Sequence, residues 1–142
     1  EWVYLFNVTY LLVDGSHNPP KNIGNGIPMI SSQNVLNDKI TFDASRYITE
    51  EDYKKEVLRN PIEKGDIFLT IVGSIGRSAV VKSNLKCGIQ RSIAQIKSGL
   101  NPYYLCKVLQ SPLSMNYYFK KALQTMDANT LRMAGELKLL WN

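Results

Sequence analysis

The chain has 142 residues and a mass of 16.1 kDa, a size that buries about two-thirds of the unfolded surface without disulfide or metal staples. It is 44% hydrophobic and 20% charged, with a mean hydropathy of −0.18. Those values exclude a disordered or membrane-spanning class, and the longest apolar runs, Tyr10 to Val13 and Ile67 to Val72, fall far short of the roughly 20 residues a helical span needs. The net charge of +5 is unevenly placed: residues 1–76 carry a net −3 and residues 77–142 a net +8, and such a basic second half attracts polyanions.

The predicted elements begin with a short helical turn leading into a strand within Glu1 to Val13. Asp14-Gly15 closes it, and Asn18-Pro19-Pro20 holds the chain extended. Gly24-Asn25-Gly26 forms a turn, and strands are expected over Pro28 to Ser31 and Lys39 to Phe42. Thr49 caps a helix whose first turn, Glu50-Glu51-Asp52, suits the macrodipole, and Pro61 marks its end. Ile67 to Val72 has a buried-strand pattern; Gly73-Ser74-Ile75-Gly76 turns it into a strand over Ser78 to Lys82.

A third strand, Ile89 to Ile96, places Ile89, Arg91, Ile93 and Gln95 on one face and Gln90, Ser92, Ala94 and Ile96 on the other. Neither face is apolar, so its polar groups must be paired or exposed. Asn101-Pro102 starts a helix with Asn as cap and Pro at its first position. Its apolar stripe runs through Tyr104, Leu105, Val108 and Leu109, breaks at Ser111-Pro112, and continues through Phe119, Ala122 and Leu123. Tyr103, Tyr104, Tyr117, Tyr118 and Phe119 are assigned to core and inter-helix packing, in preference to a stacking platform for single strands. A last strand is expected within Glu136 to Trp141.

Enzyme chemistry finds little support. Asn18-Pro19-Pro20-Lys21 resembles the amine-gripping motif of amino-methyltransferases, but Lys21 stands where an aromatic ring stacks on the base, and no Phe-x-Gly-x-Gly cofactor motif accompanies it. Gly73-Ser74-Ile75-Gly76 is neither a phosphate loop nor a nucleophile elbow. Glu63 and Asp66 lack the pattern of a metal nuclease. His17 has no nucleophile placed beside it and reads as a hydrogen-bonded loop residue. Cys87 and Cys106 give neither a disulfide framework nor, with the single histidine, zinc-ligand spacing. No cofactor is expected. No secretory leader is readable, and a cytoplasmic setting is the default.

Five segments occur in an order that resembles one family. They are Asp14-Gly15-Ser16-His17-Asn18-Pro19-Pro20; Gly26-Ile27-Pro28-Met29-Ile30 leading to Asn34-Val35; Tyr47-Ile48-Thr49-Glu50-Glu51; Lys64-Gly65-Asp66-Ile67 with Gly73-Ser74-Ile75-Gly76-Arg77; and Tyr104-Leu105 with Leu109-Gln110-Ser111-Pro112. Together they resemble the target recognition domain of specificity (S) subunits of type I restriction–modification systems, although Phe6-Asn7 replaces a common Gly-Asp. The resemblance runs from Trp2 to the end.

It implies an α/β fold, with a mixed, twisted sheet and flanking helices. It implies a single recognition domain over residues 1–142, as a fragment or half of a larger subunit or as a single-domain subunit. The implied partners are double-stranded DNA, the methyltransferase (M) and restriction (R) subunits, and a second recognition domain in the same chain or in a homodimer. Catalysis would belong to the partner subunits. A recognition domain of a fused restriction–methylation enzyme, and a protein-interaction module with a basic face, remain alternatives.

Phosphate contacts by Lys and Arg supply affinity, and polar side chains at base edges supply choice. The candidates are Arg77, Lys82, Asn84, Lys86, Gln90 and Arg91 in the basic half, with Ser16, His17 and Lys21 in the first loop. Gln90 and Arg91 are adjacent, so on a regular strand only one faces DNA. An irregularity near Cys87-Gly88 would let Arg91 face outward while Gln90 satisfies its amide internally. Gly15, Gly65, Gly73 and Gly76 are expected to serve as turns with positive φ.

Overall fold

The computed structural model describes residues 2–43, 45–124 and 130–140. Strand β1 (Trp2–Tyr4) precedes a 3-10 turn at Leu5–Val8 and β2 (Leu11–Asp14). Next come β3 (Ile27–Ile30), a 3-10 turn at Ser32–Asn34, β4 (Val35–Leu36), β5 (Lys39–Ile40) and β6 (Arg46–Ile48). Helix α1 (Glu50–Val57) leads to β7 (Ile67–Thr70), β8 (Ser78–Val80), β9 (Gly88–Ile89) and β10 (Ile93–Lys97). The chain then runs through α2 (Pro102–Leu109), α3 (Pro112–Gln124), α4 (Thr130–Gly135) and β11 (Lys138–Leu140).

The class is the expected α/β mixture with flanking helices. Its strands are shared among several sheets: an antiparallel four-stranded sheet in the order β2-β10-β7-β8, a three-stranded sheet β6-β3-β9, and the two-stranded pairs β4-β5 and β1-β11. The β3–β9 pairing is parallel and β3–β6 antiparallel, which makes the three-stranded sheet mixed.

The helix starts follow from their caps. Thr49 Oγ1 accepts the Asp52 N–H at 3.0 Å, and Asn101 Oδ1 accepts those of Tyr103 and Tyr104 at 2.9 and 3.3 Å. Each satisfies donors that the first turn leaves without intrahelical partners. Pro112 restarts the chain as α3.

All four residues of β7 are buried because both faces of its sheet are covered. Ile67, Leu69, Val80, Ala94 and Ile96 pack with Leu105, Leu109 and Tyr118 from α2 and α3. Phe68, Ala79 and Ile93 pack the other way, with Ile30, Val35, Cys87 and Ile89.

Gln95 is also buried, and it is paired as its strand required. Its Nε2 donates to the Pro61 carbonyl at 3.1 Å and to Asp66 Oδ2 at 2.9 Å. Lys97 Nζ reaches Asp66 Oδ1 at 2.7 Å and Glu63 Oε1 at 2.8 Å. Desolvation acts against the Lys97 charge, yet the bonds to Asp66 and Glu63 dominate and hold its ammonium above the usual range. This node ties the entrance of β7 to the exit of β10.

Four expectations are corrected. A strand, β1, precedes the expected helical turn; its partner is β11, at the far end of the chain. Trp141, in the expected last strand, lies outside the described residues. The predicted third strand is two strands, β9 and β10, because its first part pairs with β3 and its second with β2 and β7. The aromatic stripe is rotated. Leu105, Cys106 and Leu109 face the core, Tyr118 is buried, and Tyr103, Tyr104 and Phe119 are exposed; the side chains of Ala122 and Leu123 lie outside the described set. Gly65, Gly73 and Gly76 have φ of +94°, +80° and +94° as expected, but Gly15 does not share the positive φ. A methyl group at Gly15 would overlap the carbonyl oxygens of Ile89 and Gln90, so what this position requires is close backbone approach.

Two measurements check this packing. Burial pushes the Cys87 thiol up to about 12 and raises that of Cys106. The thiolate is the reactive form, so at pH 8 dithionitrobenzoate should label neither cysteine until denaturant is added; rapid labelling of the folded chain would contradict this. Gly15→Ala should lower stability by about 2 kcal/mol or more, because the obstacle is backbone. Gly99 has open space and no positive φ, so Gly99→Ala should stay within about 0.5 kcal/mol. Urea midpoints of the two variants compare them directly.

Candidate nucleic-acid interface

The registers place three connections at one end of the four-stranded sheet. Asp14 pairs with Ala94, and Thr70 with Ile93. The residues after β2, those before β10 and the β7–β8 turn therefore emerge together. Backbone bonds bind the first two. Gly15 N donates to the Ile93 carbonyl at 3.0 Å, Ser16 N to that of Ile89 at 2.9 Å, and Arg91 N to that of Ser16 at 3.0 Å. Ser16 and Gln90 form a parallel bridge.

The Ser32 turn joins the same rim. Ser32 N donates to Ser92 Oγ at 2.8 Å, and Ile71 N donates to the Ser92 carbonyl at 2.9 Å. Gly73 passes so close that a methyl group there would lie 3.1 Å from Ser32 Oγ.

Five of the nine candidates lie on this rim: Ser16, His17, Arg77, Gln90 and Arg91. Their side chains do different things. Gln90 Nε2 donates to the Met29 carbonyl at 3.0 Å, satisfying its amide internally. Arg91 is exposed, and among the described residues its side chain forms no hydrogen bond or ion pair. Arg77 is half-buried and its guanidinium donates to the Ser32 carbonyl at 2.8 Å, so it braces the rim. His17 is exposed, with Nε2 at 2.6 Å from Asp14 Oδ2.

The other four lie elsewhere. Lys82, Asn84 and Lys86 are exposed on the β8–β9 connection, whose start is tied to the opposite end of the sheet by a 2.8 Å bond from Gly65 N to the Val81 carbonyl. Lys86 Nζ pairs with Glu50 Oε2 at 2.8 Å and lies 5.6 Å from the centre of the Tyr53 ring. Lys21 is exposed further along the loop that carries His17.

Sequence reasoning missed Asp14, Ser32 and Ser92 as members of the rim. Asp14 had a local signal, an acid three residues before a histidine. Ser32 and Ser92 had none, since their bond joins residues distant in sequence.

A hollow of about 210 Å3 adjoins the rim, lined by Asp14, Ser16, Glu56, Arg59 and Gly88 among others. Burial raises the Glu56 carboxyl above its ordinary value, opposed by a hydrogen bond with Ser16. Among the described residues no group of His, Cys, Asp and Glu side chains is arranged to hold a metal ion, and no helix is long and apolar enough to cross a membrane. Exposed donors beside a closely stitched backbone are suited to contacting anionic or hydrogen-bonding surfaces.

No protein-family model matches the chain. It is 27% identical over 140 residues to the type I restriction enzyme EcoBI specificity subunit of Escherichia coli, a match that covers 92% of this chain and 29% of that protein. The fold is similar to that of the HsdS subunit from Thermoanaerobacter tengcongensis, with a TM-score of 0.60, 18% identity, and coverage of 97% of this chain and 32% of that one. It is also similar to the type I restriction–modification S subunit from M. genitalium, with a TM-score of 0.55, 11% identity, and coverage of 97% and 33%. The chain spans about a third of the length of each. In sequence and in fold, the chain is thus similar to about a third of a type I restriction specificity subunit.

Proposed function

We propose that the chain is a sequence-specific DNA-binding unit that recognises one half of a bipartite duplex target. In this reading it directs M and R subunits of a type I system, which carry out methylation and cleavage in the cytoplasm. A second recognition domain, in the same chain or in a homodimer partner, reads the other half. Kinship with a specificity subunit over almost the whole chain carries the proposal.

The rim supplies the residues. Arg91 is the leading DNA contact, because its guanidinium is exposed and uncommitted while its backbone is fixed by Ser16. Ser16 and His17 accompany it on the rim, and Lys21 lies further along the first loop. Gln90 and Arg77 act mainly by shaping the rim. Lys82, Asn84 and Lys86 contribute peripheral contacts, and Lys86 must leave Glu50 to reach a phosphate.

The test is a salt titration of duplex binding. Affinity should fall as salt rises, each phosphate contact adding about −0.9 to the log–log slope; a flat titration would overturn DNA binding. Arg91→Ala should weaken binding. If Arg91 reads a base, the loss is about 1–3 kcal/mol with relaxed selectivity at one position; if it touches phosphate, all sequences weaken alike and the slope shrinks by about one unit. Gln90→Ala should instead cost about 1 kcal/mol of folding stability, leaving the Met29 carbonyl without its partner. An Arg91→Ala chain that folds normally and binds every duplex as before would remove Arg91 from the interface.

A further inference from the structure

We propose that His17, held at Nε2 by the Asp14 carboxylate, is a protonation-dependent contact for a backbone phosphate of DNA. This deepens the DNA-binding reading above and rests on it.

Asp14 ends β2 and is fixed there by its pairing with Ala94. Its Oδ2 lies 2.6 Å from His17 Nε2. An ionised carboxylate only accepts hydrogen bonds, so Nε2 carries the hydrogen. Nδ1 is then the one polar atom of the ring left for an outside partner, and the His17 side chain is 66% exposed. In the neutral ring Nδ1 is a lone pair, which repels a phosphate oxygen. In the protonated ring Nδ1 is a charged donor, which forms a short, charge-assisted bond to phosphate.

The charged groups around the loop make that proton count. Asp14 belongs to β2. Glu56 on α1 reaches the loop through Ser16. Arg59, beyond the C-terminal end of α1, lines the same hollow as Asp14, Ser16 and Glu56, and Arg91 is tied to Ser16 from the β9–β10 connection. Arg46 on β6 donates to the Pro20 carbonyl of the loop at 3.1 Å and Lys21 lies on the loop itself, so two carboxylates stand among four cations and a proton on His17 adds to an already cationic surface. Phosphate therefore favours the protonated ring, and by linkage the proton favours phosphate. Imidazole is the side chain that ordinarily changes charge between about pH 5 and 8.

The chain contains one histidine, so its ring resonances are unambiguous. In proton NMR titrations of the 142-residue chain, a mixed-sequence duplex should move the ring's titration midpoint upward. By fluorescence anisotropy at fixed ionic strength, duplex affinity should fall about tenfold from pH 5.5 to 8, with the salt slope about 0.9 steeper at the lower pH. Both pH effects should vanish in His17→Gln. Glu56→Gln should leave the His17 midpoint shift in place, separating it from titration of Glu56. Circular dichroism verifies folding of each variant.

A duplex that binds while leaving the ring midpoint unmoved would overturn the proposal, as would affinity that rises with pH, the mark of a neutral ring accepting from a base amino group. Persistence of the pH dependence in folded His17→Gln would do the same. A wild-type chain that binds no duplex at any pH would bring down the DNA-binding reading and this contact with it.

Discussion

A single run of chain, Gly88 to Lys97, has to satisfy its backbone in two different sheets. Its first two residues pair with β3, and its last five with β2 on one side and β7 on the other. The connection between them belongs to neither ladder, yet its polar groups need partners. Gln90 N finds the Ile30 carbonyl, Arg91 N finds that of Ser16, and the Ser92 carbonyl accepts from Ile71 N. Those bonds fasten four separate parts of the chain around one point. The rim that carries Ser16, His17, Gln90 and Arg91 hangs on that crossing.

The crossing also fixes which side chains are free. A continuous strand would put Gln90 and Arg91 on opposite faces of one sheet, each competing for burial or solvent. Breaking the strand there removes the competition. Gln90 turns its amide to the Met29 carbonyl, while Arg91 remains outside with its backbone held. Gly15 has a steric role in this: it alone lets the end of β2 approach the Ile89 and Gln90 carbonyls. The rim is thus held by backbone bonds together with the Arg77, Gln90 and Ser92 side chains. Its exposed side chains can vary without disturbing the bonds that position them, which is what a recognition surface requires.

Local signals were legible and distant ones were not. Thr49 and Asn101 announced their helices because a cap acts within three residues, and Gly73 and Gly76 announced a turn because positive φ is a local demand. The burial of Ile67–Thr70 was readable from composition alone. The break at Gln90–Ser92 was readable only in part, as an irregularity near Cys87-Gly88, because its cause is the presence of β3 beside one half and β2 beside the other. β1 and the rotation of the α2 stripe escaped for the same reason. Nothing within Trp2–Tyr4 names β11 as its partner, and nothing within α2 says that Cys106 lies 3.3 Å from Ser78 Oγ. Of the interface, residue types were legible and their grouping was not.

The charge distribution shows the same limit most clearly. By sequence the second half carries a net +8, which suggests one broad basic face. In the fold, three of its ten cations are answered from the acidic first half. Lys86 meets Glu50, Lys97 meets Asp66 and Glu63, and Lys107 meets Asp38 at 2.5 Å. These bonds from Lys97 and Lys107 hold the Glu63 and Asp38 carboxyls below their ordinary values. The two halves of the sequence are therefore interleaved in space. Cations engaged in such pairs must surrender a partner before binding phosphate, so they add less to affinity than an uncommitted one. Among the cations outside such pairs, Arg91 stands exposed on the rim with its backbone held. In the proposed reading, attraction to DNA then depends on where the unpaired charges sit more than on the net charge of either half.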